Sequence, residues 1–238
     1  MVLILGHRGL SGHFPDNTMI AYQRAFDVGS NGVELDVQMT KDGELVLFHD
    51  FELNDDTDGY GRIDELTLEA IQQYTFTSSL QTGLIPQVIP TVRQYLDWVY
   101  DKSFVTNFEI KVDHDKDIEI ERKLLVLLEE YHYIGQSIIS SFSLESIKRM
   151  RQLNKEIQIG YLVADYTPEA LELCIEHGFD YLHPNLKDLS QSLILKAKDN
   201  DIGLNVWTVN DYLDYQNLIH WQVNGIISDY PDRVVSLM

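Results

Sequence analysis

The chain has 238 residues, of which 44% are hydrophobic and 24% are charged, a composition typical of a folded soluble protein and unlike that of a disordered chain. Its 38 acidic and 18 basic residues give a net charge of −20, so the chain repels nucleic acid and anionic lipid, and we expect neither as a partner. The one cysteine, Cys174, cannot form an internal disulfide, which fits a reducing compartment.

The chain begins with a short apolar run, from Met1 to Leu5. A secretory signal peptide needs an apolar stretch of roughly 7–15 residues behind a basic start. The longest later apolar run, Leu124–Leu128, is far shorter than the roughly 20 residues that span a bilayer. We therefore expect a soluble, cytoplasmic protein without stable membrane association.

Short β-rich runs alternate with amphipathic stretches along nearly the whole chain, which favours βαβ units on a parallel sheet. The predicted strands are Val2–Leu5, Gly32–Val37, Leu45–His49, Val105–Ile110, Ser137–Ser141, Gln158–Val163, Phe179–Leu182, Gly203–Val209 and Gly225–Ser228. The predicted helices between them are Asn17–Val28, Asp117–Tyr133, Leu144–Leu153, Pro168–His177, Leu189–Asp199 and Tyr212–Trp221.

One connection is too short for a parallel crossover, which needs a dozen or more residues. The gap between Gly32–Val37 and Leu45–His49 instead contains Asp42-Gly43, a strong hairpin signal, so we expect the second of these strands to fold back antiparallel as an arm. Counting back from the turn places Leu35 opposite His49. The eight remaining strands match an α/β fold, the (β/α)8 TIM barrel.

The stretch from residue 50 to about residue 90 is too long for an ordinary βα loop. It contains acidic, glycine-rich turns and a possible helix over Leu66–Tyr74, and Ile89-Pro90-Thr91 leads into a helix that ends near Tyr100. We interpret it as a small inserted subdomain after the second barrel strand. Because no linker, low-complexity tract or repeat divides the chain, we expect a single domain over residues 1–238.

Polar side chains follow several predicted parallel strands, at the end where functional residues lie in such barrels. Glu34 and Asp36 share one face of a strand at a spacing of roughly 6.6 Å, and Glu109 follows on the next barrel strand with Lys111 on the same face. Three inward carboxylates are costly unless a cation neutralises them or they take up protons. Oxygen ligands suit Mg²⁺ or Ca²⁺. The alternative, that Arg8 and Lys111 satisfy these carboxylates, stays open on spacing alone.

Two histidines are predicted to lie near this acidic cluster. His7 ends the first strand, and the hairpin register brings His49 beside Glu34 and Asp36. Two histidines that flank carboxylates could act as general base and general acid, whereas a lone histidine is more often structural. Trp207 covers a substrate or fills the barrel, and the sequence leaves both roles open.

Other residues with reactive side chains have structural interpretations. Five acids surround a predicted helix start, where negative charge is favourable, and they lack EF-hand spacing, so we interpret them as a solvated helix entrance. They are Asp113, Asp115, Asp117, Glu119 and Glu121. Cys174 lies in a helical pattern and is expected to be a buried core thiol. The sequence contains no P-loop, dinucleotide-binding glycine fingerprint or nucleophile elbow.

Ten short motifs, taken in order from residue 6 to about residue 231, resemble the glycerophosphodiester phosphodiesterase family. They are His7-Arg8-Gly9, Pro15-Asp16-Asn17-Thr18, Glu34-x-Asp36-Val37, Thr40-Lys41-Asp42-Gly43, His49-Asp50, Ile89-Pro90-Thr91, Glu109-Ile110-Lys111, Ser141-Phe142, Trp207-Thr208-Val209-Asn210 and Gly225-Ile226-Ile227-Ser228-Asp229-Tyr230-Pro231. One such motif is a weak signal, but ten in order at plausible spacings are a strong one.

The resemblance implies a (β/α)8 barrel with a small insertion. It also implies an enzyme that converts a glycerophosphodiester, such as glycerophosphocholine or glycerophosphoethanolamine, into sn-glycerol 3-phosphate and an alcohol. In the family pattern Glu34, Asp36 and Glu109 would bind one divalent metal ion, Mg²⁺ or Ca²⁺.

The same resemblance assigns the remaining site residues. His7 and His49 would be the acid–base pair, Arg8 and Lys111 would hold the phosphate, and Trp207 would line the pocket. In the family mechanism the glycerol 2-hydroxyl attacks first, and water then opens the resulting cyclic phosphate.

Two places depart from the family pattern. Asp16 stands where glutamate is usual, one methylene shorter, and we expect the structural role of the motif to survive. Asn54, Asp55 and Asp56 stand where the family often has a basic residue, which bears on headgroup preference.

Two alternatives remain. A phospholipase D-like enzyme on the same barrel would act on lysophospholipid or sphingomyelin, but it should approach membranes through apolar or basic loops, and residues 50–60 are acidic. A non-catalytic phosphodiester-binding barrel would have lost a catalytic group, yet both histidines, the three carboxylates and the lysine are present.

Overall fold

The structure is a computed structural model that describes residues 2–54, 56–78, 85–113 and 119–237. Its strands are β1 Leu3–His7, β2 Gly32–Met39, β3 Leu45–Leu47, β4 Val105–Ile110, β5 Ser137–Ser141, β6 Gln158–Val163, β7 Tyr181–Pro184, β8 Gly203–Val206 and β9 Gly225–Ser228. Its helices are α1 Met19–Asp27, α2 Leu68–Ile71, α3 Val92–Val99, α4 Ile120–Glu130, α5 Leu144–Leu153, α6 Pro168–His177, α7 Gln191–Asp199, α8 Tyr212–Trp221 and α9 Pro231–Val235.

Within the described ranges, eight parallel strands close into a barrel. They pair in the order β1, β2, β4, β5, β6, β7, β8 and β9, and β9 pairs again with β1. Helices flank the barrel and cover the outward faces of the strands. The predicted (β/α)8 fold is confirmed.

β3 is the antiparallel arm that the hairpin signal predicted. Leu47 pairs with Val37 in the predicted register. The strand ends there, two residues earlier than predicted, although the N–H of Phe48 still donates to the carbonyl of Asp36 at 3.1 Å. The arm therefore brings His49 to the carboxyl end of β2.

Most helix boundaries agree with the prediction, and the differences have local causes. α1 begins at Met19 rather than Asn17, because Thr18 is the N-cap and its side chain accepts a hydrogen bond from the first turn. α4 begins at Ile120, whereas the predicted start, Asp117, lies outside the described residues. None of the helices in the described ranges has the length and apolar character needed to cross a bilayer.

The stretch between β3 and α3 contributes a separate apolar cluster. Its described part contains a 3₁₀ turn, Ile63–Glu65, and the four-residue α2, which is shorter than the predicted helix Leu66–Tyr74. The cluster consists of the buried side chains of Val46, Phe48, Leu53, Ile63, Ile71, Phe76 and Ile89. Since Val46 and Phe48 belong to the arm, this stretch packs against the arm beside β2.

The two faces of the barrel strands differ in chemistry. Outward-facing side chains such as Leu35, Phe108 and Ile139 are buried in one apolar cluster with helix residues such as Tyr95 and Leu124. Side chains alternate along a strand, so the intervening residues point into the barrel. Several of these inward residues are polar: Glu34, Asp36, Asn107, Glu109, Ser140, His183 and Asn205. The strand pattern thus concentrates polar groups inside the barrel.

Candidate active site

A cavity of about 240 Å³ opens at the carboxyl end of the barrel strands. It is lined by His7, Arg8, Glu34, His49, Asn107, Glu109, Lys111, Phe142, Leu162, Trp207 and Ile227. All the residues that the sequence singled out for the site line this cavity except Asp36, which is buried behind Arg8 and Lys111 and contacts both.

The three predicted metal ligands form one buried carboxylate cluster, which we call the acidic triad: Glu34, Asp36 and Glu109. Each offers an oxygen atom, and these atoms lie within 4.8 Å of one another. The arrangement follows from strand geometry. Glu34 and Asp36 are two residues apart on β2, so both side chains point into the barrel, and Asp36 is the register partner of Glu109 on β4.

Two cations lie against the triad. Arg8 Nε is 3.2 Å from Asp36 Oδ2, and Lys111 Nζ is 2.9 Å from Glu109 Oε1 and 3.5 Å from Asp36 Oδ1. Burial opposes ionisation of Asp36, but Lys111 and Arg8 outweigh it and hold the pKa of Asp36 below its ordinary value. Burial and the charge of Asp36 together raise the pKa of Glu109. Two cations therefore leave part of the negative charge uncompensated.

Glu34 is the least compensated member of the triad. Its Oε2 accepts a hydrogen bond from the backbone N–H of Arg8 at 3.1 Å, but its buried Oε1 has no hydrogen-bond partner in the described part of the chain. Burial, followed by the charges of Asp36 and Glu109, raises its pKa well above the ordinary value. A cation placed among the three carboxylates would reverse this effect.

His7 points its Nδ1 at a carboxylate and its Nε2 towards the triad. Nδ1 lies 2.7 Å from Asp229 Oδ1, and Nε2 lies 3.9 Å from Glu34 Oε2. Asp229 follows β9, and its other oxygen accepts a 2.6 Å hydrogen bond from Asn210. Burial works against ionisation of Asp229, but the hydrogen bond from His7 lowers its pKa. This pairing keeps a proton on Nδ1 and turns Nε2 to the cavity.

His49 reaches the same cavity from the arm. Its Nδ1 is 2.5 Å from Oδ1 of the adjacent Asp50, so its second ring nitrogen is free of that contact. Burial is the main cause that lowers the pKa of His49. The positive charges of Lys111 and Arg8 lower it further, whereas the negative charge of Asp36 raises it by less than these effects together. A histidine held neutral in this way can accept a proton.

A tight turn after β1 aims Arg8 and its backbone at the triad. Arg8 has a left-handed φ of 54°, and Gly9 follows with φ 94°. A Cβ on Gly6 would lie 2.4 Å from the carbonyl oxygen of Gly9, so only glycine fits there. The turn directs the N–H of Arg8 to Glu34.

Asn17 is a site residue to which the sequence assigned no role. Its Nδ2 donates to Asp36 Oδ2 at 2.8 Å, and its Oδ1 accepts from the backbone N–H of Asp36 at 3.1 Å. Its φ of 52° is left-handed, a conformation that asparagine tolerates better than most residues. Its neighbour Asp16 accepts a 2.9 Å hydrogen bond from Arg8, so the shorter acid still reaches its partner. A Pro-Asp-Asn-Thr motif before a helix is the signal that could have suggested a buried polar anchor.

Trp207 lies on the wall of the cavity. Its Nε1 donates to the carbonyl of His183 at 2.8 Å, and its ring meets Phe142 edge-on at a centroid distance of 5.6 Å. The indole is therefore fixed in place, with part of its apolar surface turned to the cavity.

The weaker candidates lie apart from this cavity. Asp113 pairs with Arg62 at 2.9 Å, and Glu121 accepts hydrogen bonds from Ser146 and Arg149. Two other members of the proposed helix entrance, Asp115 and Asp117, lie outside the described residues, as does Asp55. Cys174 is buried, and burial raises its pKa to about 12. It is the core thiol that the helical pattern predicted.

Comparisons with known proteins agree with this geometry. The Glycerophosphoryl diester phosphodiesterase family matches residues 7–233. The chain is 33% identical over 236 residues to the glycerophosphodiester phosphodiesterase of Caldanaerobacter subterraneus subsp. tengcongensis, covering 99% of this chain and 97% of that one. It is 31% identical over 245 residues to the glycerophosphodiester phosphodiesterase of Bacillus altitudinis, covering 100% of this chain and 98% of that one.

Solved structures show the same likeness. A phosphodiesterase from Oleispira antarctica, in complex with the product sn-glycerol-3-phosphate, superimposes with a TM-score of 0.92 at 25% identity, over 98% of this chain and 95% of that one. The glycerophosphodiester phosphodiesterase of Thermotoga maritima gives a TM-score of 0.79 at 26% identity, over 100% and 99% of the two chains. The chain therefore belongs to the glycerophosphoryl diester phosphodiesterase family, whose members are phosphodiester hydrolases.

Proposed function

We propose that this protein is a metal-dependent enzyme that hydrolyses glycerophosphodiesters to sn-glycerol 3-phosphate and an alcohol, with His7 and His49 as its acid–base pair. Glycerophosphocholine and glycerophosphoethanolamine are the substrates we expect. The observation that carries the proposal is that one cavity is lined by two histidines, an arginine, a lysine and carboxylates of the acidic triad. We expect the reaction to serve cytoplasmic glycerol and lipid metabolism.

The donor set of the triad fits a divalent cation. Its three carboxylates are buried within 4.8 Å of one another, and Glu34 Oε1 has no hydrogen-bond partner among the described residues. Mg²⁺ and Ca²⁺ prefer such oxygen ligands, and Glu34, Asp36 and Glu109 would hold either ion. When bound, the ion supplies positive charge that stabilises the charge developing on the phosphoryl oxygens.

Arg8 and Lys111 would bind the phosphate. Both line the cavity, and both are already oriented by carboxylates, Arg8 by Asp16 and Asp36 and Lys111 by Glu109. A phosphodiester carries one negative charge and a chain of net charge −20 repels it, so local positive charge must compensate. Trp207 would form the apolar wall against which the carbon chain of the substrate packs.

The two histidines have complementary positions for proton transfer. One imidazole takes the proton from the attacking hydroxyl as the new P–O bond forms, and the other gives a proton to the departing alkoxide as the old P–O bond breaks. Asp229 and Asp50 orient the rings and stabilise the charge that each ring carries in turn. We expect the same pair to exchange roles when water completes the hydrolysis.

A coupled assay for released glycerol 3-phosphate tests the proposal. The purified protein is given glycerophosphocholine, glycerophosphoethanolamine and glycerophosphoglycerol in solution, and lysophosphatidylcholine in vesicles, each with Mg²⁺ or Ca²⁺. We expect release from the water-soluble diesters. A phospholipase D leaves the acyl chain on the glycerol phosphate, so turnover of the vesicle substrate is measured as released choline. Choline release from the vesicle substrate alone would instead favour the phospholipase D-like alternative, and tight binding without any release would favour a non-catalytic barrel.

A further inference from the structure

The barrel interior beside the acidic triad contains buried polar atoms without a hydrogen-bond partner in the described part of the protein. They are Glu34 Oε1, Asn107 Oδ1 and Nδ2, Ser140 Oγ, His183 Nδ1 and Asn205 Oδ1. Each of the five residues that carry these atoms is at most 3% exposed. Barrels of this type are usually filled by branched apolar side chains, and buried polar atoms nearly always have partners. We call the four residues other than Glu34 the polar layer.

Two members of the polar layer are paired with triad carboxylates on neighbouring strands. Asn107 is the register partner of Glu34, and Ser140 is the register partner of Glu109. Neighbouring strands lie about 4.8 Å apart, so the side chains of register partners lie side by side. A buried water needs two or more polar partners, and each of these pairs supplies polar groups on both strands. Asn107 also lines the catalytic cavity, as Glu34 does.

The other two members extend the layer away from the triad. His183 Nε2 and Asn205 Nδ2 are hydrogen-bonded at 3.0 Å. Burial lowers the pKa of His183 to about 3, so the ring is neutral at ordinary pH and its Nδ1 carries the proton. A Cβ on Gly160 would lie 2.3 Å from the His183 ring, so this glycine makes room for a polar side chain inside the barrel. A donor on His183 and an acceptor on Asn205 thus remain for water.

We propose that ordered waters occupy this layer and bridge Asn107 to Glu34 and Ser140 to Glu109, which makes Asn107 and Ser140 positioning residues of the metal site. The inference rests on the metal role in the proposed function. At Glu34 the water accepts from Asn107 Nδ2 and donates to Oε1, which fixes the carboxylate. Partners that orient ligand carboxylates typically change metal affinity about 10–100-fold when they are lost.

Metal titration of the intact, chelator-stripped protein tests the inference. Mg²⁺ and Ca²⁺ are titrated by calorimetry into wild type, Asn107→Leu and Ser140→Ala. We expect Asn107→Leu to weaken binding at least about 10-fold and Ser140→Ala by a smaller factor. The matched control is Ser137→Ala on the same strand, because the Ser137 hydroxyl donates to the carbonyl of Tyr133 at 2.8 Å and should not affect metal affinity.

Thermal unfolding of the stripped proteins separates positioning from a purely structural role. Among the described residues, the Asn107 and Ser140 side chains have no direct hydrogen-bond partner to lose, so we expect their variants to melt close to wild type. Ser137→Ala removes a hydrogen bond and should melt lower. If Asn107→Leu does not fold, the test is the metal affinity of Ser140→Ala compared with that of Ser137→Ala, and we expect only Ser140→Ala to bind the ion more weakly than wild type.

The two proposals fail in different ways. Wild-type metal affinity in both Asn107→Leu and Ser140→Ala would overturn the inference alone, as would a crystal structure with Asn107 bonded directly to Glu34 and no water between them. A wild-type protein that binds neither ion would overturn the metal role and this inference with it.

Discussion

The two histidines of the site are held by different regions of the molecule. His7 ends β1 and is oriented by Asp229, which follows the last barrel strand and lies 222 positions away in sequence. His49 lies on the antiparallel arm and is oriented by its own neighbour, Asp50. The side chains of His7 and Asp229 are 19% and 29% exposed, whereas those of His49 and Asp50 are 35% and 42% exposed.

The two imidazole rings are thus positioned in different ways. His7 depends on closure of the barrel, because its partner arrives only when β9 pairs with β1. His49 depends on the register of a three-residue strand and on a local carboxylate that water screens more strongly. We therefore expect the first pair to be the more sensitive to substitution.

Removal of either ring is expected to have the largest effect. His7→Ala and His49→Ala should each lower kcat/KM by about 10³-fold or more, because a general acid or base typically contributes about 10²–10⁴-fold and, in the proposed reaction, each ring transfers a proton in both steps. Glycerol 3-phosphate release measures the loss, and circular dichroism with thermal melting verifies the fold. Full activity in either folded variant contradicts the assignment.

Replacement of the two orienting carboxylates is expected to have the next largest effect. Asp229→Asn should lower kcat about 100-fold, since it removes the carboxylate that contacts Nδ1 of His7, whereas Asp50→Asn should lower it about 10-fold or less, because water can replace an exposed carboxylate. The kcat of both variants is measured by steady-state kinetics under the same conditions. Equal losses, or a larger loss at Asp50, would break the distinction drawn between the two regions.

A change at Arg8 is expected to act on substrate binding. Arg8→Lys keeps the positive charge but not the guanidinium fork that contacts Asp16 and Asp36, so KM should rise about 10-fold while kcat changes less. Arg62→Lys is the matched control, since Arg62 pairs with Asp64 and Asp113 away from the cavity. An unchanged KM in Arg8→Lys would argue against a phosphate contact at this position.

Asp16→Glu should have the smallest effect. It restores the residue usual in the family, and the carboxylate can still reach Arg8, so we expect kcat/KM to stay within about 3-fold of wild type, as for most substitutions that keep their contacts. The same assay provides the value. A loss of about 10-fold or more would show that the length of this acid matters to the site.

Local patterns made much of the fold predictable. The inward–outward alternation of β2 and the Asp42-Gly43 turn lead to a barrel strand and an arm. The observed register of that arm is the predicted one as far as Leu47, where the strand ends, and His49 lines the cavity. Turn geometry and alternation depend on near neighbours in sequence, which a single sequence contains.

The partners that orient the site were harder to predict. Asp229 stands at a strand end, but its pairing with His7 requires the barrel to close. Asn17 binds Asp36 through a left-handed backbone conformation that no periodicity reveals. The role of Asn107 depends on which face of β4 turns inward and on its register with Glu34. Such contacts are set by tertiary packing rather than by local preference.

Reconstitution of activity in exhaustively chelated protein tests whether the reaction needs the bound cation. If two imidazoles act on a substrate held at one cation between Glu34, Asp36 and Glu109, the stripped enzyme should release no glycerol 3-phosphate from glycerophosphocholine. Addition of Mg²⁺ or Ca²⁺ should then restore release at about one bound ion per chain. Undiminished release from protein shown to be free of metal would contradict the account.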